Sequence, residues 1–248
     1  VKVRPSAMCW WEKDGADVKL HLDVRCGTYG VELGGRKLEV AKIVMTSYAL
    51  EEADTPVEVF EACRAFCSEM CDDPDCRDTV IYGGNNWYYA YGKSSAKEIL
   101  GDSAYLAEMT EGIENRPFMV MDDGWQIDHS DSYNGGPWRV GNADYGDMGE
   151  LAAQMRAKNV RPGIWFRPLY DHSADIPAEW RLERNAEVFD ISVPEVLEHI
   201  AQDIRQLGDW GYELIKHDFS TYDIFGCWGF EMGTRLTNGS WRFHDPVS

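Results

Sequence analysis

The sequence predicts an α/β protein of the (β/α)8 TIM-barrel class, carrying the first half of the barrel behind an N-terminal β-rich segment. Three observations predict this. From Thr79 onward, short apolar runs alternate with helical stripes four times in order, and consecutive β-then-α units make a parallel sheet with right-handed crossovers. Polar and aromatic residues gather at the carboxyl ends of those runs, where a barrel keeps its active site. An open doubly wound sheet also binds ligands at that edge, commonly through a glycine-rich phosphate loop. Gly83-Gly84 lacks the Gly-x-Gly-x-x-Gly pattern.

Residues 1–78 have a different texture. Val18 to Val24 alternates apolar and polar with period two, the mark of a half-buried strand. Tyr29–Leu33 and Leu38–Val40 read similarly and are joined by Gly34-Gly35, a hairpin-type turn. The segment reads as a small antiparallel region or the end of a larger β domain. Pro56 opens a helix through about Met70 that carries Cys63, Cys67 and Cys71, with Cys76 just beyond. One helix cannot wrap a tetrahedral zinc, so buried reduced thiols are expected.

The barrel region, 79–248, is taken strand by strand. Thr79–Tyr82 is the first strand, leading into Gly83-Gly84-Asn85-Asn86-Trp87. Ser95 with Glu98 forms a capping box for the next helix. Pro117–Met121 is the second strand, ending in Asp122-Asp123-Gly124-Trp125. Met148, Leu151, Ala152 and Met155 give the following helix its inward stripe. Arg161–Phe166 is the third strand. Ser192 and Glu195 box the next helix, with Leu197, Ile200, Ile204 and Leu207 facing inward. Tyr212–Phe219 holds the fourth strand, and Ser220–Ser248 shows no clear fifth. A full barrel needs on the order of 120 further residues.

Composition narrows the partners. The 24 basic and 43 acidic residues give a net charge of −19, which repels nucleic acid and anionic membranes. No run of about 18 apolar residues occurs, so no membrane span is expected. Seven cysteines, an odd number and scattered except for the one cluster, suit reduced thiols in the cytoplasm better than a disulfide framework. Assembly of identical subunits is left open.

The strand ends carry the chemistry. Lys216 and Asp218 project to one side of their strand and His217 to the other. Lys216 holds the Asp218 carboxylate ionised and can donate to a ligand hydroxyl. His217 is expected to be buried and hydrogen-bonded. Asp122 and Asp123 face different ways and can take different hydroxyls of one ring; a helix cap or a metal site is the competing reading. No further ligand set accompanies them, so no metal and no cofactor are expected. Trp87, Trp125 and Trp165 can wall a sugar pocket, although each alone is ordinary core material. Carboxylates, tryptophans and a lysine at a barrel mouth suggest glycoside hydrolysis, in which one carboxyl group attacks the anomeric carbon and another protonates the leaving oxygen.

Four motifs carry a family resemblance. Met121-Asp122-Asp123-Gly124-Trp125-Gln126, Gly163-Ile164-Trp165-Phe166, Ile215-Lys216-His217-Asp218 and Asn86-Trp87 resemble, in order and spacing, the strand-end motifs of the α-galactosidases of glycoside hydrolase family 36. The likeness spans roughly residues 79–235, and residues 1 to about 55 resemble the end of that family's β-sandwich domain. It implies a retaining enzyme for terminal α-galactosides of the melibiose and raffinose type. Asp218 would be the nucleophile. Lys216, Asp122 and Asp123 would bind ring hydroxyls, and Trp87 and Trp165 would pack around the ring. Two departures stand out. The family follows its third-strand Trp-Phe with Glu-Pro-Glu, whereas this chain has Arg167-Pro168-Leu169; a positive rim there would alter the sugar or admit an acidic leaving group. The family's acid/base aspartate lies on a later strand, and nothing before Ser248 matches it; neither Asp223 nor Asp245 is assigned that role. Against the enzyme stand a catalytically incomplete half-barrel that binds only a sugar or a partner subunit, and a metal-dependent barrel hydrolase.

Overall fold

The computed structural model describes residues 8–23, 56–69, 79–182 and 185–225, with the isolated positions 35, 37 and 43. Strands β1 (Met8–Asp14) and β2 (Asp17–Asp23) pair antiparallel, from Met8 opposite Asp23 to Asp14 opposite Asp17. The turn passes through Gly15 at φ 61°, a backbone that favours glycine. The period-two run at Val18 is thus a strand, but its partner precedes it. The expected strands at 29–33 and 38–40 lie outside the described residues, as do Cys71, Cys76 and Asp245.

Helix α1 (Pro56–Glu69) forms where expected. Its Cys63 and Cys67 are free but exposed, which corrects the expectation of buried thiols. The apolar positions Phe60 and Phe66 also face outward among the described residues, so the helix offers no interior to bury sulfur in.

Residues 79–225 build the sheet that positions the site. Strands β3 (Gly83–Asn85), β4 (Phe118–Met121), β5 (Arg161–Phe166) and β8 (Leu214–His217) lie in the order β3-β4-β5-β8, all parallel. Helix α2 (Trp87–Ala90) follows β3, and α3 (Ala96–Met109) and α4 (Met148–Ala157) cross to β4 and β5. An antiparallel pair, β6 (Arg181–Leu182) and β7 (Asn185–Phe189), precedes α5 (Pro194–Asp209), which leads to β8; α6 (Ser220–Phe225) ends the described chain. Among the described residues the sheet has four strands and does not close on itself.

Local chemistry explains these elements. Ser95 caps α3 by accepting the Glu98 N–H, and its hydroxyl donates to the Glu98 carboxylate at 3.1 Å. Asp147 caps α4, accepting the Glu150 N–H at 2.7 Å. Met148, Leu151, Ala152 and Met155 are all buried against the sheet, and each large side chain so removed from water contributes about 1.5–3 kcal/mol. Gly163 lets β5 approach β4 closely, since a Cβ there would stand 2.8 Å from Val120.

Three local expectations are corrected. The first strand is Gly83–Asn85, not Thr79–Tyr82. The ladder starts where β4 starts, with Phe118 N–H donating to the Tyr82 carbonyl, and Val80 and Ile81 run exposed beyond it. Helix α5 is not boxed by Ser192 and Glu195. Pro194 at its first turn supplies the preset φ, Val193 is the cap residue, and the Ser192 hydroxyl bonds Asp190 instead. Leu197 and Ile204 are exposed, whereas Val196, His199, Asp203 and Leu207 are buried. The inward face is rotated because Trp180 and Phe189, from the β6–β7 excursion, lie against His199.

Candidate active site

The carboxyl ends of β3, β4, β5 and β8 surround a pocket of about 270 Å³ lined by Trp87, Asp122, Asp123, Trp165, Lys216, Asp218 and Phe219. The six residues singled out from the sequence therefore share one pocket. Parallel strands bring this about directly. Trp165 is registered opposite Lys216, and each strand hands its next residue to the same rim.

The turn after β4 is a closed network. Asp122 Oδ2 accepts from Asn85 Nδ2 at 2.5 Å and from Lys216 Nζ at 2.6 Å. Asp122 Oδ1 accepts the Asp123 N–H, and Asn86 Oδ1 accepts the Asp122 N–H. Asp123 Oδ1 accepts from Gln126 Nε2 at 2.8 Å and stands 3.8 Å from His129. Burial pushes the Asp123 carboxyl above its usual range, opposed by Gln126, His129 and Asn134. Lys216 thus pairs chiefly with Asp122; its nitrogen is 3.9 Å from Asp218, a correction to the sequence reading that coupled it mainly to Asp218.

Asp218 is held differently. Trp165 Nε1 donates to its Oδ2 at 3.0 Å, and the Phe219 N–H donates to its Oδ1 at 2.8 Å. Its own N–H donates to the Phe166 carbonyl. Phe219 has φ 63°, a left-handed backbone that costs a bulky residue roughly 1–2 kcal/mol. Trp165 is buried, and its carbonyl accepts from Trp125 Nε1 at 2.9 Å. Trp125 is itself wholly buried in the core and does not line the pocket, so only Trp87 and Trp165 of the three expected indoles reach it. His217 faces away and hydrogen-bonds Ser220, but it is exposed rather than buried, because β8 is an edge strand among the described residues.

Arg167 is not a rim charge. It is 6% exposed, bonds Asp223 through two nitrogens and Asn134 through a third, and lies between the rings of Tyr170 and Phe219. Sequence reading placed it at the mouth because it follows a strand end; its partner lies 56 residues further on. Asn85, Gln126, Asn134 and Phe219 complete the site and were not singled out. Two of them sat inside quoted motifs, whereas Asn134 carries no local signal. A shallower polar depression of about 390 Å³, lined by Lys93, Ser95, Glu98, His129, Asp131 and Asn142 among others, lies on the other side of His129. It has no aromatic wall. Among the described residues, no group of three or more His, Cys, Asp or Glu side chains could hold a metal ion, and no helix is long and apolar enough to cross a membrane.

No family model matches the chain, and no curated protein matches it. Solved structures do. The galactosidase domain of an α-galactosidase–sucrose kinase superposes with a TM-score of 0.50 at 22% identity, over 62% of this chain and 24% of its own length. An α-galactosidase from Thermus thermophilus, in complex with p-nitrophenyl α-D-galactopyranoside, gives 0.44 at 22% identity over 60% of this chain and 32% of its own. A glycoside hydrolase family 36 α-galactosidase from Geobacillus stearothermophilus gives 0.44 at 23% over 57% and 21%. The first of these matches shows a shared fold. The chain spans about a quarter of the length of that protein, whose coverage is 24%.

Proposed function

We propose that the chain is part of a retaining glycoside hydrolase that cleaves terminal α-galactosides of the melibiose and raffinose type. The observation that carries this reading is the single pocket in which three carboxylates, one lysine and two indoles meet at the ends of parallel strands. Asp218 acts as nucleophile. Its oxygen bonds the anomeric carbon as the bond to the leaving oxygen breaks and that oxygen takes a proton from a second carboxylic acid outside the described residues; water then cleaves the glycosyl-enzyme, returning its proton to that group. Asp122, Asp123 and Lys216 take ring hydroxyls, and Trp87 and Trp165 flank the ring. The family likeness in the four strand-end motifs supports these roles. Asp223 is locked to Arg167 and does not line the pocket, so it does not serve as the proton donor.

A second reading is a catalytically incomplete half-barrel that binds a sugar or a partner subunit. It is favoured by the state of the β4 turn, where both carboxylates are already held by donors and suit hydroxyl acceptance more than proton donation. The test uses the complete protein with a nitrophenyl α-galactoside and a fluorinated galactosyl inactivator. Turnover with a mass-spectrometric label on the peptide bearing Asp218 is expected. A label on another peptide overturns the assignment, and sugar binding without turnover selects the second reading.

A further inference from the structure

Among the described residues, Arg167 is the one buried arginine or lysine. Asp223 accepts from its Nε at 3.0 Å and also from its Nη2. Asn134 accepts from its Nη1. Its guanidinium carbon lies 3.9 Å from the centroid of Tyr170 and 4.3 Å from that of Phe219. Arg167 itself does not line the pocket, but two of these contacts lead to it.

The first runs to the turn after β8. Phe219 lines the pocket and follows Asp218 in a left-handed backbone, a conformation that persists only when its surroundings over-determine it. Arg167 supplies that restraint twice. It lies over the Phe219 ring, and its partner Asp223 donates its own N–H to the Phe219 carbonyl at 2.9 Å. The Phe219 N–H in turn fixes Asp218 Oδ1. The second connection runs to Asn134, in the loop whose Gln126 donates to Asp123 Oδ1 at 2.8 Å. One guanidinium thereby joins the turn that carries Asp218 to the loop that follows Asp123. A lysine could neutralise Asp223, but it could not bond two partners in the fixed plane that also stacks on two rings.

We infer that Arg167 is a positioning residue, tying the turn that carries Asp218 to the loop that supports Asp123, so that nucleophile and hydroxyl acceptors keep a fixed separation. In its catalytic consequence this rests on the glycosidase reading; the physical tie does not. Arg167 is therefore a structural link and not a rim charge.

The test compares Arg167→Met, Arg167→Lys and the double variant Arg167→Met with Asp223→Leu in the complete protein. Hydrogen exchange is read in peptides covering 118–126 and 214–225, with 148–157 of α4 as the reference. Both single variants are expected to exchange at least about tenfold faster in the two turn peptides, and unchanged in α4. The lysine variant keeps the buried charge paired, so the experiment survives if the methionine variant does not fold. The double variant is expected to recover thermal stability but to remain about 10²-fold down in kcat, with a smaller change in KM, since misplacing a reacting group costs about that much. Wild-type exchange in the turn peptides of the lysine variant overturns the proposal, as does a double variant that recovers kcat together with stability. If the wild-type protein hydrolyses no glycoside, the glycosidase reading fails, and the exchange measurement still decides the tie.

Discussion

The turns after β4 and β8 both deliver carboxylates to one pocket, but they provision them differently. Asp122 is 2% exposed and accepts from a lysine, an asparagine amide and a backbone N–H. Asp218 is 32% exposed and accepts from one indole and one backbone N–H. A fully bonded carboxylate is a rigid acceptor. A half-bonded one, open to the pocket, keeps a lone pair for chemistry. Burial with many donors suits a group that holds a ligand, and partial burial with few suits the reacting role proposed for Asp218.

Several substitutions can break or sharpen this contrast. Asp218→Asn is expected to lower kcat on the order of 10⁴-fold with little effect on stability, measured by steady-state kinetics and denaturant unfolding. With Asp218→Gly and added azide, a nitrophenyl α-galactoside should yield the inverted β-galactosyl azide, detectable by NMR; a retained product would contradict the role. Asp122→Ala should do the opposite, lowering unfolding free energy by roughly 3 kcal/mol because Asn85 and the Asp123 N–H lose a buried acceptor. Equal stability loss at Asp218 and Asp122 would remove the distinction between the two turns.

Asp203 gives a third case, a buried carboxylate with no hydrogen-bond donor among the described residues. Its closest basic group, His199, stands 3.6 Å away, beyond a hydrogen bond. Burial raises the Asp203 carboxyl from 3.8 to about 7 and lowers His199. Between about pH 4 and 7 the folded protein then binds the extra Asp203 proton that the unfolded chain has lost. The Asp203 contribution to stability therefore falls as pH rises through that window. Asp203→Asn should flatten this slope and stabilise the protein at pH 8 by roughly 2 kcal/mol, measured by unfolding at several pH values. The smallest effect is expected at Trp165→Phe, which keeps a ring but removes the donor to Asp218. A loss of about tenfold in kcat with KM little changed is predicted.

How far the sequence could be read follows from the range of each interaction. The alternation of strands and helices and the α4 stripe were legible because they depend on neighbours a few residues apart, as was the Ser95 cap. The start of β3 was not, because Val80 and Ile81 are as strand-prone as any residue and only the position of Phe118 ends the ladder. The inward face of α5 was not, because His199 and Asp203 are buried by rings from Trp180 and Phe189. At the site, the pocket residues were legible as types at strand ends. Their pairing was not. Lys216 reaches Asp122 across 94 residues in preference to Asp218 two positions away, and Arg167 turns inward to a partner in α6 that no local pattern announces.

The indole of Trp165 has a consequence beyond the pocket. Its carbonyl is anchored by Trp125, its ring packs edge-on against Trp138, and its N–H holds Asp218. The hydrophobic interior and the Asp218 carboxylate are therefore two ends of one lever. Swapping Trp138, which does not line the pocket, for a smaller ring is expected to tilt that lever and shift the Asp218 carboxylate. Laboratory selection for altered turnover should accordingly recover changes in the buried tryptophan stack as readily as changes in the pocket wall.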